Sequence, residues 1–140
     1  MQHFVLAFIF TSDLQKVLLI LKNRPTWQAG NFNGIGGKIE PGETAAKAIC
    51  REVEEETGIR TKPAYWQYMG KMVASNWDNE IFTMALSPKI SPQSITDEEV
   101  SWHSVVNVPT NSHSNLPWLI PLAKNMLTTP QLNKVEIFYT

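Results

Sequence analysis

Glu52, Glu55 and Glu56 stand at i, i+3 and i+4 in a stretch with a helical pattern. At about 100° per residue the three carboxylates share one arc of about 100° on a helical wheel. Ile49, Val53, Ala46 and Cys50 fall on the adjoining arc, which reads as the core face. Lys47 and Glu54 take the opposite, solvent side. Ala45 and Ala48 continue the acidic arc toward the helix N-terminus, and their small size predicts room there for something bulky. Like charges at these spacings repel by a few tenths of a kcal/mol per pair. A bound divalent cation accounts for keeping them together. Mg²⁺ takes oxygen ligands, commonly one or two carboxylates plus substrate phosphates and water. Taken alone, Glu54-Glu55-Glu56 also reads as a solvated charged face.

The glutamates belong to a longer pattern. Gly37, Glu43, Arg51, Glu52, Val53, Glu55, Glu56, Gly58 and Ile59 fit G-x5-E-x7-R-E-U-x-E-E-x-G-U, where U is a bulky aliphatic residue. Arg51 flanks the acidic arc at about −100° and can fork onto a carboxylate such as Glu43. Gly36 and Gly37 can present backbone carbonyls to a metal, and Gly58 permits a sharp exit from the helix. At average residue usage a chance match is on the order of one in ten million. The pattern, over residues 37–59, resembles the box of the Nudix hydrolase family.

That resemblance implies a set of roles. Nudix enzymes cleave nucleoside diphosphates linked to another group, X, with Mg²⁺ or Mn²⁺ neutralising phosphate charge. By this likeness Glu52, Glu55 and Glu56 ligate or orient the metal, Gly36 or Gly37 adds a carbonyl, and Arg51 orients a glutamate. A further carboxylate comes from Asp97, Glu98 or Glu99, with Glu98 favoured. A solvated acidic turn is the alternative for those three. The run Asn31-Phe32-Asn33-Gly34-Ile35-Gly36-Gly37-Lys38 is similar to the MutT-like branch, whose members include oxidised purine triphosphatases. It implies a base contact for Asn33, although a turn bond to its own backbone suits that residue equally.

Lys22, Arg24 and Lys38 are candidate phosphate partners, and Trp27, Trp77, Trp102 and Trp118 candidate stacking platforms that could equally be core. His113 and Asn115 precede the last helix, where the purine triphosphatases read the base. The acidic pair typical of that reader is absent, so an 8-oxo-purine preference is not implied. The expected reaction is hydrolysis of a nucleoside triphosphate to monophosphate and pyrophosphate. The rivals are a nucleotide sugar, dinucleotide or other X-linked diphosphate as substrate, and a nucleotide-binding regulatory module without turnover.

The elements that must position these residues follow from pattern. Phe4 to Phe10 and Val17 to Leu21 read as strands, Lys22 to Phe32 as a loop, and Asn33 to Gly37 as a glycine-rich segment too poor in helix formers to be a helix. Thr44 to Thr57 reads as a helix with Thr44 or Glu43 as cap and Gly58 as its stop. Tyr65 to Ser75 and Glu80 to Ser87 read as strands joined by a turn at Asn76-Trp77-Asp78-Asn79. Val100 to Val106 reads as a strand, Leu116 to Leu127 as a helix and Val135 to Tyr139 as a last strand. This order predicts an α/β sandwich with a mixed sheet, and the family likeness implies the Nudix α/β/α sandwich.

The 140 residues, with 43% apolar and 18% charged, suit one globular domain spanning 1–140. A net charge of −1 lacks the basic surface that nucleic acid polymers require. The lone Cys50 excludes an internal disulfide and agrees with a reducing compartment. Met1-Gln2-His3 lacks a basic n-region, and no apolar run is long enough to span a membrane. The expectation is a cytoplasmic monomer or homodimer acting on a small nucleotide.

Overall fold

A computed structural model describes residues 1–129 and 131–140. Its strands are β1 (Gln2–Thr11), β2 (Lys16–Leu21), β3 (Phe32–Asn33), β4 (Ile35–Lys38), β5 (Gln67–Val73), β6 (Trp77–Leu86), β7 (Val100–Ser104) and β8 (Val135–Phe138). Its α-helices are α1 (Ala45–Thr57) and α2 (Leu116–Thr128), with a short 3-10 turn at Pro63–Tyr65. The strands form one sheet in the order β3-β2-β1-β6-β5-β8, with β4 also on β1 and β7 also on β2. β1 runs parallel to β6, and β5 to β8, whereas β2 and β4 lie antiparallel to β1. The sheet is mixed, as expected, and the two helices pack on its opposite faces.

The helices explain the unbroken apolar run of β1. Val5, Ala7 and Ile9 enter the core under α1, with Ile49 and Val53. Leu6, Phe8 and Phe10 enter the core under α2, with Leu116, Leu119 and Ile120. A strand covered on both faces cannot alternate with polar residues. It can only hold its place when both layers are present.

The glycine-rich segment is not a helix, as expected, and forms ladder: Ile35–Lys38 pairs antiparallel with β1, placing Leu6 opposite Gly36 and Val5 opposite Gly37. One expectation about the elements is corrected. The turn expected at 76–79 lies earlier. Trp77, Asp78 and Asn79 belong to β6, because parallel pairing with Gln2, His3 and Phe4 extends that strand to Trp77. The bond from the Ala74 N–H to the Trp77 carbonyl closes the turn instead.

Candidate active site

α1 starts where Thr44 Oγ1 accepts the Lys47 N–H at 3.2 Å. It stops at Gly58, whose φ of 75° is the left-handed conformation that favours glycine. Glu52 and Glu56 of its acidic arc turn toward protein, whereas Glu55 is exposed. Ala48 is fully buried and Ala45 packs against the core, so the helix lies close against β4. The space expected beside these small residues is thus filled by protein. Gly37 contributes to the same close approach: a Cβ there would run into the Glu52 carboxylate.

Arg51 organises the turn around it. Its Nε donates to Glu43 Oε2 at 2.7 Å and its Nη2 to Glu43 Oε1 at 2.9 Å, the bidentate geometry a planar guanidinium favours. Nη1 donates to Glu52 Oε1 at 2.9 Å and, at 3.4 Å, to Glu55. Nη2 also reaches the Lys38 carbonyl at 3.0 Å, tying α1 to the end of β4. The Arg51 guanidinium and the Glu40 N–H hold the Glu43 carboxyl down at about 2. Burial pushes Glu52 above the usual range, against the pull of Arg51.

Glu56 lies deeper. Its Oε2 is buried without a hydrogen-bond partner. Burial and the neighbouring Glu52 push its carboxyl up to about 8. Lys22 opposes that shift, and Glu98 and Glu55 add to it, so all three lie within Glu56's electrostatic reach. Glu98 is buried and accepts from Lys22 Nζ at 2.9 Å, the Asn23 N–H at 2.6 Å and the Arg24 N–H at 3.3 Å. Burial acts to raise Glu98, but those donors together hold it below the usual carboxylate value. Asp97 is exposed and pairs with Arg24.

A cavity of about 1050 Å³ opens on the α2 side of the sheet. Phe4, Leu6 and Met72 contribute apolar surface, and Trp27, Trp77 and His113 contribute rings. Arg24 and Lys38 bring charge to it. Asn33 lines it too, with its Oδ1 accepting the Gly34 N–H at 2.8 Å and its Nδ2 donating to Gln28 at 3.2 Å. Asn115 is buried at the start of α2 and also lines the cavity. Trp102 instead packs on the α1-side core, and Trp118 lies exposed on α2, so neither lines this cavity.

A family model for the NUDIX domain matches residues 2–122. The chain belongs to the Nudix hydrolase family. CTP pyrophosphohydrolase of Escherichia coli strain K12 is 38% identical over 72 residues, covering 51% of this chain and 48% of that protein. The chain thus spans about half the length of that curated relative, and less of others it matches. Among solved structures, MutT from Bacillus halodurans is similar with a TM-score of 0.70 and 23% identity, covering 100% of this chain and 91% of that one. The Nudix domain of Shewanella oneidensis NrtR, complexed with ADP ribose, is similar with a TM-score of 0.72 and 22% identity, covering 89% and 87%. At these identities the likeness is one of fold.

Within this Nudix fold the structure brings Arg51, Glu52, Glu55 and Glu56 to the β4 end of α1, with Gly36 and Gly37 in the adjoining strand. Lys22 and Glu98 lie within electrostatic reach of Glu56, whereas Asn33, Arg24, Lys38 and Asn115 line the cavity. Among the described residues, no three acidic, imidazole or thiol side chains converge on one point. A hard divalent ion does not need that convergence, because Mg²⁺ completes its shell with water and substrate phosphate. The unpartnered Glu56 oxygen beside Glu52 fits such an ion. Sequence reasoning missed Asn79, Met72, Gln28 and Tyr139 as cavity residues. Only the period-two alternation of a longer β6 would have turned Asn79 inward.

Proposed function

We propose that this Nudix protein hydrolyses the phosphoanhydride of a nucleoside triphosphate, giving monophosphate and pyrophosphate, with Mg²⁺ as its cofactor and Mn²⁺ as a substitute. One observation carries the reading. Glu56 keeps a buried, unpartnered carboxylate oxygen next to Glu52, where a cation relieves both the burial and the like-charge repulsion. When bound, Mg²⁺ supplies neutralisation of phosphate charge as it develops.

The chain's own groups do the rest. Glu52, Glu55 and Glu56 are the proposed ligand set, with a backbone carbonyl of Gly36 or Gly37 as a further oxygen. Arg51 is a positioning residue, because its fork holds Glu43 and its third nitrogen steadies Glu52. Glu98 joins the acidic set in this proposal and fixes the chain at Lys22 to Arg24 through its three donors. Lys22, Arg24 and Lys38 then offset triphosphate charge. The base enters the cavity, where Trp27 and Trp77 supply ring surface and Asn33 and Asn115 supply polar contacts. Water adds its oxygen to one phosphorus, and the bridging oxygen leaves with the other fragment.

The curated resemblance to a CTP pyrophosphohydrolase supports a triphosphate. The second reading is a dinucleotide or other X-linked diphosphate. It is favoured by the size of the cavity and by the ADP ribose held by the NrtR domain. A panel of nucleoside triphosphates, nucleotide sugars and dinucleotides with Mg²⁺ separates the two. Pyrophosphate release is the expected product, and two phosphomonoesters would establish the second reading. Glu56→Gln and Glu55→Gln each test the ligand set. Activity surviving either change within about threefold, less than about 1 kcal/mol of barrier, would remove that residue from it. Turnover of no panel member would leave a binding module.

A further inference from the structure

The floor of the cavity holds a polar group that the sheet does not explain. Asn79 lies on β6 directly between Phe4 of β1 and Met72 of β5. It shares its face with Ile81, a buried member of the α2-side core. An inward position on a covered sheet is ordinarily apolar. Yet Asn79 Oδ1 is buried and has no hydrogen-bond partner. Leaving such an acceptor unpaired is costly, and its presence needs an explanation.

A second amide completes the arrangement. Asn115 is only 6% exposed, and its Oδ1 is likewise buried and unpartnered. Its Nδ2 donates to Met72 Sδ at 3.7 Å. That contact sets which way the amide points, since reversing it would press its oxygen against the sulfur, another acceptor. The Tyr139 hydroxyl approaches the same sulfur at 3.7 Å. Met72 therefore stands between the two asparagines, one beside it in the ladder and one bonded to its sulfur. Both asparagines line the cavity, and among the described residues no carboxylate does.

Two buried acceptors without donors call for a ligand that brings N–H groups. Cytosine and adenine each carry an exocyclic amine, whereas the corresponding edge atom of uracil is a carbonyl oxygen. That oxygen would leave both amide oxygens, Asn79 Oδ1 and Asn115 Oδ1, unpaired and add a third acceptor. We propose that Asn79, with Asn115, selects nucleotides whose base carries an exocyclic amino group over those with an oxo group at that position. The inference rests on the cavity being the base site of the proposed triphosphate hydrolase.

The experiment uses substrate pairs that exchange amino for oxo, CTP against UTP and ATP against ITP, with Mg²⁺ and the full chain. The amino member is expected to lead by about tenfold or more in kcat/KM, chiefly through KM, which is the discrimination a good base-edge contact supplies. A smaller lead in both pairs overturns the proposal. Asn79→Leu is expected to bring the ratios to within about threefold of unity with an unchanged or higher Tm, because an apolar isostere removes an unpaired amide. Ratios left intact by this variant overturn the role of Asn79. Asn79→Asp keeps an acceptor and is expected to keep the preference, which serves as the check if the leucine variant does not fold. If no triphosphate is hydrolysed, the proposed reaction fails by itself. The base preference is then read from binding of CMP against UMP by tryptophan quenching. Equal binding, or binding of neither, overturns it.

Discussion

At the scale of single residues, Glu56 and Glu43 show how one helix turn and the segment before it treat like groups in opposite ways. Burial pushes Glu56 up to about 8, while the Arg51 fork holds Glu43 down at about 2. The two signs lead to opposite pH behaviour. For Glu56 the folded value lies above the ordinary 4.5, so the cation-free protein loses stability as pH rises from that value through about 8. Glu56→Gln is therefore expected to be more stable than wild type above that range by a few kcal/mol in EDTA. Denaturant unfolding at several pH values reads the difference, which closes below about 4.5. For Glu43 the folded value lies below the ordinary one, so its contribution is complete above 4.5 and disappears as pH falls toward about 2. Glu43→Gln should thus be less stable than wild type at neutral pH, with the two converging near about 2. A gap independent of pH would show that the Arg51 fork is not the source of its stabilisation.

At the scale of elements, β4 lies beside the acidic helix and shapes the seat of its carboxylates. Gly37 leaves the space that the Glu52 carboxylate fills. Gly37→Ala is expected to displace Glu52 and cost about 1–3 kcal/mol of stability, the usual range for overpacking. Turnover should fall more steeply than that folded fraction explains. Equal kcat per folded molecule would show that Glu52 needs no fixed seat. The helix itself was legible, from Thr44 as cap to Gly58 as stop, because capping and the core arc are local properties. The N-terminal end of β6 was not. Asn76-Trp77-Asp78-Asn79 has the composition of a turn, and only pairing with Gln2 to Phe4 draws its last three residues into a strand. Asn79 was missed as a cavity residue for that reason.

At the scale of the whole molecule, the proposed cation binding would be linked to folding. A cation that binds only the folded chain stabilises it by about 2.7 kcal/mol at a hundred times its Kd. Mg²⁺ is expected to raise Tm in wild type and much less in Glu56→Gln, and EDTA to reverse the rise. The effect should weaken as pH falls below about 8, because Glu56 must lose its proton to bind. An equal Tm shift in both proteins would place the cation elsewhere. Among the described residues no helix is long and apolar enough to cross a membrane, in line with the short apolar runs of the sequence.

The sequence by itself determined the chemistry-bearing helix, the family and the order of most elements. These depend on residues close together in the chain: three glutamates on one arc, an arginine beside them, a cap and a glycine stop. Through the family likeness it also offered Asp97, Glu98 and Glu99 as candidates for a further carboxylate, with Glu98 favoured. Tertiary structure alone decided that Ala48 faces protein, that Glu56 is the deepest carboxylate of the three, and that Trp27 and Trp77, not Trp102 or Trp118, line the cavity. It alone set Asn79 beside Met72 in the ladder and Asn115 on the Met72 sulfur. Burial and unpaired polar atoms are properties of surfaces that meet across the sheet. Chain-local spacing carries no record of which surfaces those are.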